Sequence, residues 1–242
     1  MTGSENRPPP RRRLIVNADD FGQSHGINEG VKRANSHGIV TSASLMVRWP
    51  SSKEAADYGR HHAQLSLGLH VDLGEWVYGD ENWSPLYTVV DPDDVRAVDR
   101  EVRRQIELFR DLVGRDPTHI DSHQHVHRSP ELLPLFRTVA EETRAFLREG
   151  SHGITYDGRF YGWDRYGIPI PSAIGVDALD GIIRSLRPGF TELGCHPGLG
   201  SDMISPYRDE RAIETVALCD PRVGEAILAS GVELSSFRDV ER

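Results

Sequence analysis

The run Leu14-Ile15-Val16-Asn17-Ala18 is short, apolar and without alternation, and it ends abruptly in two consecutive carboxylates, Asp19-Asp20. A strand that is apolar at successive positions is buried on both faces, as in a parallel sheet covered by helices. The same grammar recurs downstream. Val40 to Val47, Leu65 to Val71, Thr118 to Ser122 and Phe190 to Cys195 read as strands, with Val232 to Phe237 closing the chain. Helical periods separate them at Ile27 to Ser36, Ser51 to His62, Val95 to Val113, Pro130 to Arg148, Val176 to Leu186, Glu210 to Leu218 and Val223 to Ala229. Gly38 and Gly114 supply stop signals. Gly74 to Asp94 reads as an irregular insertion rich in aromatic residues, and Gly150 to Ser172 carries no clear period. Strands alternating with helices imply right-handed parallel crossovers. There is no glycine-rich dinucleotide fingerprint, so a TIM-like (β/α) barrel, distorted or with seven rather than eight strands, is expected over an open doubly wound sheet. Residues 1–12 read as a disordered tail rich in proline and arginine, and residues 13–242 as one domain.

Charge excludes some partners. Asp and Glu number 37 against 28 Lys and Arg, a net charge of -9. A chain this acidic lacks the basic face that tracks nucleic-acid phosphates, and anionic membranes repel it. No apolar run approaches the ~18 residues of a membrane span. The basic cluster at the N-terminus is not followed by an apolar stretch, so it does not read as a secretory signal, and a cytoplasmic location is expected. Cys195 and Cys219 are too few for a disulfide framework and match no zinc-binding cysteine pattern.

The polar residues fall in telling places. Asp19-Asp20, His70, His123 and His196 each follow an apolar run. In a parallel α/β barrel such strand ends share one face, where active sites are built. Two imidazoles with one or two carboxylates form a ligand set for a divalent ion with open positions for water. Hydrolysis further needs a base for the attacking water and an acid for the leaving group. Adjacent Asp19 and Asp20 supply a base and a ligand, diverging if strand geometry continues.

Plainer readings exist. Asp-Asp before Phe21-Gly22 fits a turn with capping acids, His70 alone fits a structural histidine, and His196-Pro197-Gly198 fits a strand-ending turn. Three histidines at alternate positions in Asp121-Ser122-His123-Gln124-His125-Val126-His127 are harder to explain by packing. Cys195, beside His196 on a strand, points to the opposite face and reads as buried packing. His61-His62 reads as a complement to a helix C-terminus.

Asn17-Ala18-Asp19-Asp20-Phe21-Gly22, Leu67-Gly68-Leu69-His70, Thr118 to His127 and Glu192-Leu193-Gly194-Cys195-His196-Pro197-Gly198 together resemble the YdjC-like (ChbG-type) carbohydrate deacetylase family, from about Leu14 to Phe237. The resemblance implies a (β/α) barrel that removes acetyl groups from N-acetylated sugars, typically chito-oligosaccharides, with one divalent ion, Mg or Zn. By motif, Asp20, His70 and His123 correspond to the ligands, Asp19 to the general base, and His196 to the general acid that protonates the amine as imidazolium. Asp121, His125 and His127 are expected to bind substrate or support the site. Tyr207 to Arg211 matches a further element in which Arg211 orients a carboxylate. The family continues after Glu142 with a strand carrying an arginine, whereas Thr143 to Gly150 reads as helical here, so one barrel strand is expected to be short, displaced or missing. A homodimer is a possible assembly. The rival readings are a metal-dependent hydrolase of another amide or ester bond, phosphoesters included, and a non-catalytic sugar-binding barrel.

Overall fold

Strand β1 (Arg12–Phe21) forms the spine of the molecule, with Leu14, Ile15, Val16, Ala18 and Phe21 fully buried. The computed structural model describes residues 11–79, 81–200, 202 and 205–241. Most of the expected tail lies outside the described residues, and its last residue, Arg12, already belongs to β1.

After β1 come α1 (His25–His37), β2 (Ser42–Leu45), α2 (Ser52–His61), β3 (Ser66–Val71), β4 (Gly74–Gly79), β5 (Asn82–Thr88), α3 (Val95–Val113), β6 (His119–Ser122) and α4 (Leu133–Thr143). The chain continues through β7 (Phe146–Leu147), β8 (Ile154–Asp157), α5 (Val176–Ser185), β9 (Gly189–Cys195), α6 (Asp209–Leu218), α7 (Pro221–Ala229) and β10 (Val232–Ser235).

The main sheet runs β7-β6-β3-β2-β1-β9-β8, with every ladder parallel. β10 branches from this path and pairs with Arg12 to Ile15, while β2 takes Asn17 to Phe21. Among the described residues no ladder joins β7 to β8, so the sheet curls without closing. The expected α/β class and the seven-strand alternative hold, but the closed barrel does not: the architecture is α/β with a curled seven-strand parallel path, a half-barrel. β7 has only two residues, both paired with β6.

Helices cover the sheet with apolar stripes. α3 buries Val98, Val102, Ile106, Phe109 and Val113 at helical spacing. Burial of each such side chain contributes up to about 1.5–3 kcal/mol. Gly114 ends this helix in the left-handed region at φ 79°, donating its N–H to the Arg110 carbonyl.

Two further expectations change. The helix read as Pro130 to Arg148 ends at Thr143, because Arg144 adopts left-handed φ of 54° and caps it. The chain then re-enters the sheet as β7, so of the three outcomes expected there the strand is short rather than missing, and Arg148 follows it directly. The insertion read as irregular holds an antiparallel hairpin, β4 on β5. Among the described residues no helix is long and apolar enough to cross a membrane.

Candidate active site

The ends of β1, β3, β6 and β9 open into one cavity of about 1090 Å³ with Asp19, Asp20, His70, His123 and His196 in its lining. The local backbone explains how adjacent aspartates both reach it. The β1–β2 register shifts between Ala18 and Phe21, and Asp20 takes φ of 63°. The expected divergence along a regular strand is therefore replaced by a turn that aims both carboxylates into the cavity.

Asp20, His70 and His123 form a tight cluster, with donor atoms all within 4.8 Å of one another. Asp20 Oδ1 lies 3.2 Å from His70 Nε2 and 3.0 Å from His123 Nδ1. Each imidazole has a carboxylate behind it. His70 Nδ1 is 2.7 Å from Asp121 Oδ1, and His123 Nε2 is 3.6 Å from Glu75 Oε2 without a hydrogen bond. Such backing carboxylates orient metal-binding imidazoles and raise their basicity. Arg211 donates to the other Asp20 oxygen at 2.5 Å. Burial opposes charge on Asp20, yet Arg211 and His123 hold its carboxyl well below the ordinary range. Burial likewise opposes protonation of the imidazoles, yet Asp121 and Asp20 push His70 up to about 10, and Asp20 and Glu75 push His123 up to about 9. The donor set therefore fits a divalent cation: a dense negative potential, two imidazoles and a carboxylate, all buried.

Arg148 lies at the centre of this site, and the sequence reading did not single it out. Its guanidinium is fully buried and donates at 2.7 Å to both oxygens of Asp19. It also lies 2.7 Å from Asp121 Oδ2 and donates to Glu192 Oε1 at 2.7 Å. Its face covers the Tyr156 ring at 4.8 Å, so a side chain from the β7 end meets β8 where the sheet stays open. Burial opposes its charge, but Asp121, Asp19 and Glu192 hold the guanidinium firmly protonated. Asn17 donates to Asp19 at 2.9 Å, which completes the orientation of that carboxylate.

His196 projects its Nε2 to within 3.8 Å of Asp19 Oδ2. Burial pushes its imidazole down to about 4, against the pull of Asp19 and Asp20. Cys195 is fully buried in the core, as expected from strand alternation.

The remaining histidines part ways. Gln124 and His125 take left-handed φ of 49° and 55° in the short 3-10 turn His123–Arg128. His125 lines the cavity beside Tyr156, with Nδ1 buried and unpartnered. His127 turns away into the core against Phe136 and bonds Ser122 through Nδ1 at 2.6 Å. Gln124 clamps the hairpin by accepting from the Trp76 N–H at 2.9 Å and donating to the Trp76 carbonyl at 2.7 Å. That clamp holds Glu75 over His123. Nothing in the sequence around Glu75 flagged it.

A buried guanidinium orienting one carboxylate, an imidazole facing it, and a His-His-Asp cluster alongside define a hydrolase-type acid–base site with a place for a cation. The chain belongs to the family described as YdjC-like protein, which it matches over residues 13–229. It is 32% identical to a chitooligosaccharide deacetylase of Enterobacter sp. (strain 638), over 94% of this chain and 98% of that protein. It is also 32% identical to a carbohydrate deacetylase of Geobacillus stearothermophilus, with the same coverage. A crystal structure from Enterococcus faecalis V583, a candidate cellobiose-phosphate cleavage protein, superimposes with a TM-score of 0.74 at 26% identity, covering 96% of this chain and all of that one.

Proposed function

We propose that this protein is a metal-dependent carbohydrate N-deacetylase acting on N-acetylated sugars or short chito-oligosaccharides. The observation that carries the reading is the convergence of Asp19, Asp20, His70, His123 and His196 on one cavity. The names of its relatives point to the same reaction.

Asp20, His70 and His123 would hold the divalent ion, magnesium or zinc. The ion would supply Lewis acidity toward the acetyl carbonyl and toward the attacking water. Asp19, fixed by the Arg148 fork, accepts the proton of that water as general base. His196 faces Asp19 at 3.8 Å, placed to take that proton and deliver it to the departing amine. Acetate and a free amine result, and the water supplies every atom added. Trp76, Tyr78 and Trp83 of the hairpin line one wall of the cavity, and Tyr161 and Trp163 another. Aromatic faces of this kind stack on the apolar faces of sugar rings.

The test is acetate release from N-acetylglucosamine oligomers by metal-stripped protein resupplied with magnesium, zinc, manganese or cobalt, with Asp19→Asn as control. Release that requires metal and vanishes in the control supports the reading. No release with any metal, from folded protein that still binds the ion, rejects it.

A further inference from the structure

Helix α6 presents four buried polar residues toward the site: Glu210, Arg211, Glu214 and Thr215. Arg211 serves Asp20, and Thr215 accepts from the Gly198 N–H at 2.9 Å. Glu214 is the one whose place the proposed reaction leaves unused. It is fully buried, and its Oε2 accepts from the backbone N–H of His196 at 2.5 Å. Its Oε1 accepts from the Tyr207 hydroxyl at 2.5 Å and faces His196 Nδ1 at 3.9 Å. That imidazole nitrogen is buried and has no hydrogen-bond partner among the described residues.

The chain of bonds continues outward. The Tyr207 hydroxyl accepts from the Gly162 N–H at 2.6 Å. A Cβ on Gly162 would lie 2.9 Å from that hydroxyl and 2.8 Å from Ile174 Cδ1, so a larger residue would push these side chains aside. Gly162 sits between Tyr161 and Trp163, both of which line the cavity. Tyr161 stacks on Tyr207 with centroids 4.7 Å apart and planes 6° apart, and its ring also contacts His196 at 5.3 Å. Trp163 is tied to the same helix, donating its indole N–H to Glu210 at 2.7 Å.

We infer that Glu214 is a positioning residue for His196, and that Tyr207 links it to the cavity wall at Gly162, so that one hydrogen-bonded chain sets both the general acid and part of the substrate surface. This rests on the reading of His196 as the acid. A buried carboxylate that binds the main chain of residue 196 fixes where the ring emerges. With Nδ1 turned toward Glu214 at 3.9 Å, Nε2 is the nitrogen presented to Asp19 at 3.8 Å and to the leaving group.

The test separates acid assistance from general damage by comparing leaving groups. An amine must be protonated to depart, whereas 4-nitrophenolate leaves without a proton. Wild type, Glu214→Gln, Tyr207→Phe and His196→Ala are assayed with one metal on an N-acetylglucosamine oligomer and on 4-nitrophenyl acetate. Glu214→Gln is expected to lose roughly 10- to 100-fold in kcat on the amide, part of the roughly 10²–10⁴-fold that a general acid contributes, and less than about 3-fold on the ester. Tyr207→Phe is expected to lose in the same direction by a smaller factor, and it carries the test if Glu214→Gln does not fold. Equal losses on both substrates in both variants, or no loss on either, overturn the proposal. If His196→Ala itself lacks the amide-selective loss, the acid assignment fails and the positioning role falls with it. That outcome is distinguishable because it appears in the His196 variant.

Discussion

Arg148 binds Asp19 through two nitrogen–oxygen contacts of 2.7 Å, although 129 residues separate them in sequence. The pair joins the end of β1 to the end of β7 across the site. A planar fork of this kind fixes a carboxylate in one orientation, which a point-charge ammonium does not do.

Replacing the fork tests that role. Arg148→Lys keeps a cation among Asp19, Asp121 and Glu192 but loses the bidentate geometry, so turnover should fall about 10- to 100-fold with metal content retained. Arg148→Ala leaves buried carboxylates without their cation and should cost about 3–5 kcal/mol of stability in urea unfolding. Wild-type turnover in the lysine variant would remove orientation of Asp19 from the account.

Asp19→Asn should leave the fold and metal content intact and reduce turnover by roughly 10²–10⁴-fold, the contribution of a general base. Steady-state acetate release together with elemental analysis decides it.

Metal dependence has a readout besides activity. An ion held by Asp20, His70 and His123 binds only the native state, so stripping it should lower the melting temperature and returning it should restore the loss. His70→Ala and His123→Ala should each lower occupancy by elemental analysis. Unchanged occupancy in both would contradict the ligand assignment.

Gly30 lies inside α1, where alanine would ordinarily favour the helix by about 1 kcal/mol. A Cβ there would lie 2.4 Å from both Cα and N of Gly198. Gly30→Ala should therefore destabilise the protein by about 1–3 kcal/mol despite the better propensity, and lower turnover by displacing the segment that follows His196. A raised melting temperature would contradict this.

Stability should also respond to acid at Glu54, remote from the metal cluster. Burial opposes its ionisation, but hydrogen bonds from Lys32, His25 and Asn28 hold its carboxyl down to about 2. A carboxyl pKa depressed below its unfolded value of about 4.3 stabilises the fold above that pH, and the stabilisation is lost as pH falls toward 2. The side chain is 35% exposed, so solvent screening limits the contribution to about 1 kcal/mol or less. Glu54→Gln should lower the urea midpoint at pH 7, and the gap from wild type should close near pH 2.5. A gap that persists in acid would contradict the assignment.

Much of this arrangement is legible in the chain because the signals are local. β1 is a continuous apolar run ending in Asp19-Asp20, and β3, β6 and β9 deliver their histidines in the same manner. The arginine strand was not legible for a physical reason. β7 has two residues, too short for any period, and α4 ends on Arg144 rather than on glycine, so the helical pattern ran on without a visible stop. The hairpin escaped because β5 is exposed along nearly its whole length and shows no alternation. Closure of the sheet could not be read at all, since it depends on whether β7 and β8 meet. Glu75 and Glu214 carry no local signal either, as each acquires its place only when distant elements pack.

The Gln124 clamp has a consequence for how such a site can diversify. It grips the hairpin at Trp76, opposite Pro85 and near its base, and leaves residues 77–84 beyond the grip. The outer hairpin supplies cavity wall but none of the reacting groups. It is thus a detachable module: exchanging it with the equivalent segment of a relative should transplant preference among sugars while the chemistry beneath continues unchanged.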